Sequence, residues 1–284
     1  MSRQLDSVRR FLAQQRSPGP RPEEGVAIVA GSGKGGTGTS SIVALLGLAA
    51  ADAGREVLLV DANENVGTLH LLLGVSAGPG LGALRGGSAT PYDLMVPVTD
   101  RLRLLTTQAP DGEAPVSGAE RRVLLRRIAE SYGDFDLVLV DGGSRLEGVL
   151  GACLANARLL LAFTATDRIS LAATHALVKA VHRSLPGLPV LVAVNRCGLA
   201  EAEAAIEILR MAAGHFLTCT IDYAGAVPDD PRFYQAIAAG RTIQKAAAGS
   251  PIGAAVRAME ARLLDGLQGW RGAAPASAIS QARE

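Results

Sequence analysis

Aromatic residues and cysteines are scarce in this chain. Among 284 residues there are 5 Phe, 4 Tyr, 1 Trp and 3 Cys. The thiols Cys153, Cys197 and Cys219 are odd in number, far apart and form no C-x-x-C pair. That excludes a disulfide framework and a cysteine-held zinc or iron–sulfur centre, and leaves buried thiols in a reducing compartment. Neither sign of charge dominates, with Lys+Arg at 28 and Asp+Glu at 27. Bulk attraction to nucleic acid or to a membrane surface is not expected. No run reaches the roughly 18 uninterrupted apolar residues of a spanning helix. The first residues, MSRQLDSVRRFLAQQ, lack the apolar stretch of a signal peptide.

Glycine, by contrast, is abundant and locally concentrated. Residues 26–41 read VAIVAGSGKGGTGTSS. A short apolar run leads into a glycine-rich turn and then a helix-like segment, the layout of a phosphate-binding loop of pattern G-x-x-x-x-G-K-[ST]. Gly33 and Gly38 stand at the right spacing, and Ser40 falls where a magnesium-binding hydroxyl belongs. The lysine slot holds Thr39. Glycines at 31, 33, 35, 36 and 38 let backbone amides turn inward around an anion. The helix opening at Gly38–Ser41 adds its free amides and dipole, and Lys34 adds a cation. A polyphosphate suits this loop. A dinucleotide site is the rival: Gly31-Ser32-Gly33-Lys34-Gly35-Gly36 fits G-x-G-x-x-G, and Asp61 ends the next apolar run. Against it, Asp61 lies 30 residues beyond Gly31, where about 20 beyond the fingerprint is usual, and Gly38-Thr39-Ser40 is unexplained.

Along the chain, residues 1–25 predict a short amphipathic helix and a proline-rich linker, SPGPRPEEG. Residues 26–266 alternate strand-like and helical runs, and residues 267–284 predict a flexible tail of small and polar residues. Strands are expected at 26–30, 56–60, 102–106, 137–140, 159–163, 189–194 and 218–221. Helices are expected at about 40–53, 119–131, 145–156, 170–184, 200–213, 231–239 and 250–266. Several strands are almost wholly apolar, as parallel strands covered on both faces should be. The alternation predicts an α/β fold: a single doubly wound, mostly parallel sheet flanked by helices. Ligands of such sheets bind beyond the carboxyl ends of strands, which singles out Gly31–Ser40, Asp61–Gly67 and Asp141–Gly143. Arg121, Arg122, Arg126 and Arg127 form a basic stripe that predicts a solvated helix face.

Lys34-Gly35-Gly36-Thr37-Gly38-Thr39-Ser40 resembles K-G-G-x-G-K-[ST], the deviant Walker motif of MinD/ParA-type ATPases, except at Thr39. EVLLVDANENVGTLHLLLGV is similar to that family's second strand and first switch, and DLVLVDGG to its second switch. The resemblance implies ATP and Mg²⁺ as cofactors, with Ser40, Asp61 and Asp141 on the metal side. It implies Gly33 to Ser41, including Lys34, Gly35, Gly36, Thr37, Gly38 and Thr39, around the phosphates, and Gly143 near the γ-phosphate. Asn195-Arg196 matches the pair that contacts the base, and AVPDDP, with Pro228 and Asp230, resembles the loop that closes over it. Lys34, Asn63 and Asp141 take the catalytic positions, Lys34 by reaching across a nucleotide-dependent homodimer. HFLTCTIDYAGAVPDDPRFYQAI is similar to the flagellar-number regulator group (FlhG, FleN, YlxH). Gln4, Val8 and Arg9 resemble that group's segment for the partner GTPase FlhF, which gives residues 1–16 a possible partner role beside that of an ordinary amphipathic tail. No specific nucleic-acid partner is expected. The C-terminal residues show no basic amphipathic helix of the membrane-targeting kind, so membrane binding is not expected. The implied location is cytoplasmic, with a polar position open.

Two departures bear on chemistry. Thr39 removes the charge normally set against the β- and γ-phosphates. Asn63 replaces the aspartate that positions the attacking water. Weak or absent hydrolysis with retained binding is therefore expected. A pseudo-ATPase scaffold of the pilus-localisation type (CpaE/TadZ) is the alternative.

Overall fold

Runs of Val, Leu and Ile build the centre of an eight-stranded sheet. The computed structural model describes residues 27–63, 67–106, 116–217 and 219–270. The expected N-terminal helix and linker, Val26, the FlhF-directed segment and the tail beyond 270 lie outside the described residues. The strands are β1 (Ala27–Ser32), β2 (Val57–Asp61), β3 (Val96–Pro97), β4 (Leu102–Thr106), β5 (Leu137–Asp141), β6 (Leu159–Thr164), β7 (Val190–Asn195) and β8 (Asp222–Val227). The helices are α1 (Thr39–Asp52), α2 (Leu69–Leu73), α3 (Gly118–Ala129), α4 (Leu146–Asn156), α5 (Arg168–Ser184), α6 (Leu199–Phe216), α7 (Pro231–Ala238), α8 (Ile243–Ala247) and α9 (Pro251–Trp270).

The strand order is β3-β4-β2-β5-β1-β6-β7-β8. Every neighbouring pair is parallel except β3 with β4. Strands β1, β2, β5, β6 and β7 are buried along their whole length. Side chains alternate across the sheet with period two. Ala27 and Val29 of β1 therefore join the core under α3 to α6, while Ile28 and Ala30 join the core under α1, α8 and α9. Helix α1 is apolar nearly all round and buried accordingly.

β5 lies between β1 and β2. A dinucleotide fold of order 3-2-1-4-5-6 needs β2 beside β1. The sheet order overturns the dinucleotide layout, because Asp141, and not Asp61, ends the strand next to the glycine loop.

Three sequence expectations need correction. The last strand is Asp222–Val227, not 218–221. The β-branched TCTI run has the stronger strand composition, but register with β7 decides: Leu191 pairs with Asp222 and Asn195 with Val227. The outer edge of β8 is partly blocked by arginines. Arg262 Nη1 donates to Ala224 O at 3.2 Å, and Arg210 Nε donates to Ile221 O, just before the strand, at 3.1 Å. Helix α9 continues past Gly266 to Trp270, since an isolated glycine costs a helix only about 1 kcal/mol against alanine. The basic stripe on α3 is only partly solvated. Arg122 and Arg126 are exposed, but Arg127 donates to Leu84 O and Ala89 O, and Arg121 donates to Ala62 O. Those arginines fasten the neighbouring loops through backbone carbonyls. Among the described residues, no helix is long and apolar enough to cross a membrane.

Candidate functional site

The glycine loop leaves β1 at Ser32 and enters α1 at Thr39. Gly36 and Gly38 have φ of 81° and 82°, a region that disfavours any side chain. Gly33 is required for a second reason. A Cβ there would stand 2.1 Å from the carbonyl oxygen of Ala173, so α5 packs directly on the loop backbone. A Cβ at Gly36 would meet nothing within 4 Å, and one at Gly35 only Ser144 Oγ at 3.6 Å. The crest of the loop is thus free of bulky groups.

Beside the loop, Asp61 and Asp141 are paired in register at the carboxyl ends of β2 and β5. Both are fully buried. Asp61 accepts from the amides of Asn63 at 3.3 Å and Leu69 at 3.0 Å. Burial raises its pKa, and those amides, that of Thr68 and the Arg121 charge pull it back. Asp141 Oδ1 accepts from the Gly143 amide at 2.9 Å, while Oδ2 has no hydrogen-bond partner among the described residues. Burial pushes Asp141 up to about 6; the Ser40 hydroxyl lowers it, the Asp61 charge raises it and the Gly143 amide lowers it. Two buried carboxylates with an orphaned oxygen, next to a hydroxyl, form a donor set suited to a hard cation such as Mg²⁺.

The remaining predicted residues fall around this centre. Thr39 is buried, and its Oγ1 lies 3.1 Å from Thr37 Oγ1. Ser41 follows Ser40 in the first turn of α1. The Asn63 carboxamide packs against Gly143, with Oδ1 2.6 Å from where a Cβ would stand, so the first switch touches the second. Lys34 Nζ lies 3.4 Å from both Asp167 Oδ1 and Ser170 Oγ. Asp167 caps α5, accepting from the Ser170 amide at 3.0 Å and hydroxyl at 2.5 Å. The Ser170 hydroxyl and amide, more than Lys34, hold the Asp167 carboxyl down at about 2, well below its usual range.

Asn195 does not face outward. It is 2% exposed, donates Nδ2 to Thr37 O at 2.6 Å and accepts the Arg196 amide at 2.9 Å. Arg196 has φ of 58°, a strained value for a non-glycine residue. Its guanidinium lies 5.0 Å from the Tyr234 ring centroid and donates Nε to Tyr234 Oη at 3.2 Å. Asp230 caps α7 by accepting from the Arg232 amide at 3.0 Å. Pro228 lines a cavity of about 370 Å³ with Cys197, Tyr223 and Met259.

The sequence did not reveal Asp167, Ser170, Arg121 or Tyr234 as site neighbours. Asp167 before a helix is a recognisable N-cap. Its contact with Lys34 spans 133 residues and leaves no local signature.

The fold and the loop both have known counterparts. The model for the family described as cellulose biosynthesis protein BcsQ matches residues 26–195. The antiactivator FleN of Pseudomonas aeruginosa is 22% identical over 216 residues, which are 75% of this chain and 77% of FleN. The cell division ATPase MinD of Pyrococcus furiosus is 24% identical with a TM-score of 0.69, over 85% of this chain and 99% of that one. The septum site-determining protein MinD of Pyrococcus horikoshii, solved with Mg-ADP, is 23% identical with a TM-score of 0.67, over 86% and 98%. The fold is that of the MinD and ParA-type proteins; the family match takes in the glycine loop, both carboxylate strands and Asn195, and on that extent the chain belongs to the cellulose biosynthesis protein BcsQ family.

Proposed function

We propose that this chain binds ATP with Mg²⁺ at the glycine loop and acts as a nucleotide-dependent homodimer that regulates assembly of a cell-surface structure, hydrolysing ATP slowly or not at all. The observation that carries this is the open loop crest beside the orphaned Asp141 oxygen, with a neutral Thr39 in the lysine slot. In this reading the amides of Gly33 to Ser41 wrap the phosphates. Ser40, Asp61 and Asp141 hold the metal, which neutralises phosphate charge. Gly143 offers its amide to the γ-phosphate, and Asn63 orients water without accepting its proton. Asn195, already committed to Thr37, fixes the shape of the loop. Arg196, Pro228 and the Asp230 turn are left to border the base.

Dimerisation is supported by the face around Lys34. Leu146 and Ile169 are exposed there, at 44% and 70%, on segments that flank the loop. In the dimer, Lys34 exchanges Asp167 for the partner's phosphates.

Flagellum placement or number is the process we favour, supported by the likeness to FleN and by the AVPDDP region. A second reading, control of cellulose biosynthesis, is favoured by the description of the matching family. Titrations of ATP, ADP and NAD with Mg²⁺, with light scattering and a turnover assay, test the biochemical core. ATP-dependent dimers with little phosphate release are expected. Absence of ATP binding would instead support a scaffold with a vestigial site. Deletion of the gene, scored for flagellar number and for cellulose output, separates the two processes.

A further inference from the structure

The charge missing at Thr39 has one well-placed replacement. Thr39 offers the phosphates a hydroxyl that already faces Thr37. Of the other cations near the loop, Lys34 is engaged with Asp167, Arg121 with Ala62 O and Arg196 with Tyr234, while Arg168 is carried by α5 and not by the second switch. Arg145 differs. It is exposed, and its guanidinium makes no hydrogen bond or ion pair among the described residues. The segment that carries it is fixed to the loop. Gly142 N donates to Ala30 O at 2.8 Å, and Ser32 N donates to Gly143 O at 3.0 Å. Ser144, the residue before Arg145, has its Oγ 3.6 Å from a Cβ position on Gly35. Val149, one turn into α4, fills the space left by Gly31 and Gly142, and so pins the start of that helix against the loop.

We propose that Arg145 is a phosphate-binding residue, which closes onto the terminal phosphate of ATP in its own subunit and supplies from the second switch the charge that the loop lacks. The proposal rests on the ATP-binding reading above. A guanidinium suits this task because its planar fork meets two phosphate oxygens at once. Arg145 is also the N-cap residue of α4. Its carbonyl accepts the Val149 amide at 3.0 Å, so the guanidinium is carried on a helix start already fixed beside the loop. ADP lacks the group that Arg145 reaches, so the residue makes the second switch a reporter of nucleotide state.

The test is a titration of a fluorescent ATP analogue and its ADP counterpart, with Mg²⁺, at protein concentrations where the chain is monomeric. Arg145→Ala, Arg145→Lys and Arg145→Ala/Thr39→Lys are compared with the parent chain. Arg145→Ala should weaken ATP binding by about 10- to 100-fold, the range of a lost charge-assisted contact. It should change ADP binding by less than about threefold, and Arg145→Lys should fall between. Thr39→Lys in the Arg145→Ala background should restore ATP binding, because the charge returns from the other side. Equal ATP affinity in the parent and Arg145→Ala overturns the proposal and leaves the ATP-binding reading standing. Equal loss of ATP and ADP, or no rescue by Thr39→Lys, also overturns it, since the residue would then act on loop structure alone. Failure of the parent to bind either nucleotide overturns the underlying reading instead.

Discussion

Asp61 and Asp141 stand opposite each other in register at the ends of adjacent parallel strands, both sealed from solvent. Burial opposes ionisation of both, and at Asp141 the neighbouring Asp61 charge adds to the effect. The folded pKa of Asp141 is raised from 3.8 to about 6. The folded state therefore holds a proton that the unfolded chain has released. Stability from this group is complete below the unfolded value and is lost as pH rises through about 6.

It follows that Asp141→Asn raises the melting temperature of the nucleotide-free protein more at pH 7.5 than at pH 5. The substitution removes a charge whose burial is costly only above the folded pKa. In the parent chain, stabilisation by Mg²⁺ and nucleotide should shrink as pH falls from 7.5 to 5.5, because a metal ligand must be deprotonated. Thermal melts at the two pH values check both statements. An equal gain for Asp141→Asn at both would show that the carboxyl is not displaced.

Lys34 and Asp167 form a pair of a different kind. Their side chains are 43% and 47% exposed at a separation of 3.4 Å, and exposed pairs contribute little to stability. Lys34→Ala should leave the melting temperature within about 2 °C of the parent, as other surface changes do. It should nonetheless abolish ATP-dependent dimers in light scattering. Dimers that persist in Lys34→Ala would remove the cross-subunit role.

Much of this architecture was readable in advance. Six of the seven expected strands lie within two residues of their observed ends, because their runs are apolar on both faces and bounded by glycine, proline or polar residues. The seventh failed because Asp222 and Gly225 dilute the strand pattern while pairing with β7 overrides composition. The short β3 and α8 were missed, being too brief for periodicity to register. In the site, glycine spacing and strand-terminal carboxylates located the loop, Asp61 and Asp141. The side chain of Asn195 could not be placed that way. Its contact with Thr37 spans 158 residues and depends on β7 lying two strands from β1.

That contact makes Asn195 a structural support for the loop. Asn195→Ala leaves the Thr37 carbonyl without its donor in a buried setting, a loss of about 1–3 kcal/mol. Urea unfolding should show this as a lower midpoint with an unchanged slope. ATP and ADP affinities should fall together, because the loop serves both. A residue that only reads the base would give the opposite result: unchanged stability and a relaxed preference for adenine over guanine.

The last prediction concerns Thr39 and Asn63, the two positions to which the proposed slow turnover is assigned. Thr39 is buried in the first turn of α1, where the glycine loop enters the helix. A lysine there gains charge-assisted contacts of about 1.5–3 kcal/mol, so Thr39→Lys should tighten ATP binding by roughly 10- to 200-fold. Turnover should rise only modestly, since tighter binding of substrate does not by itself lower the barrier. Asn63→Asp adds a proton acceptor beside Gly143, but it also sets a third carboxylate near Asp61 and Asp141. Alone it should weaken the metal-free fold and raise turnover little. Together the two changes supply both charge and water positioning, on which phosphoryl transfer depends. Phosphate release by the double variant should exceed the product of the two single gains. Strictly multiplicative effects would show that the loop and the first switch contribute independently, and would remove the proposed coupling between them.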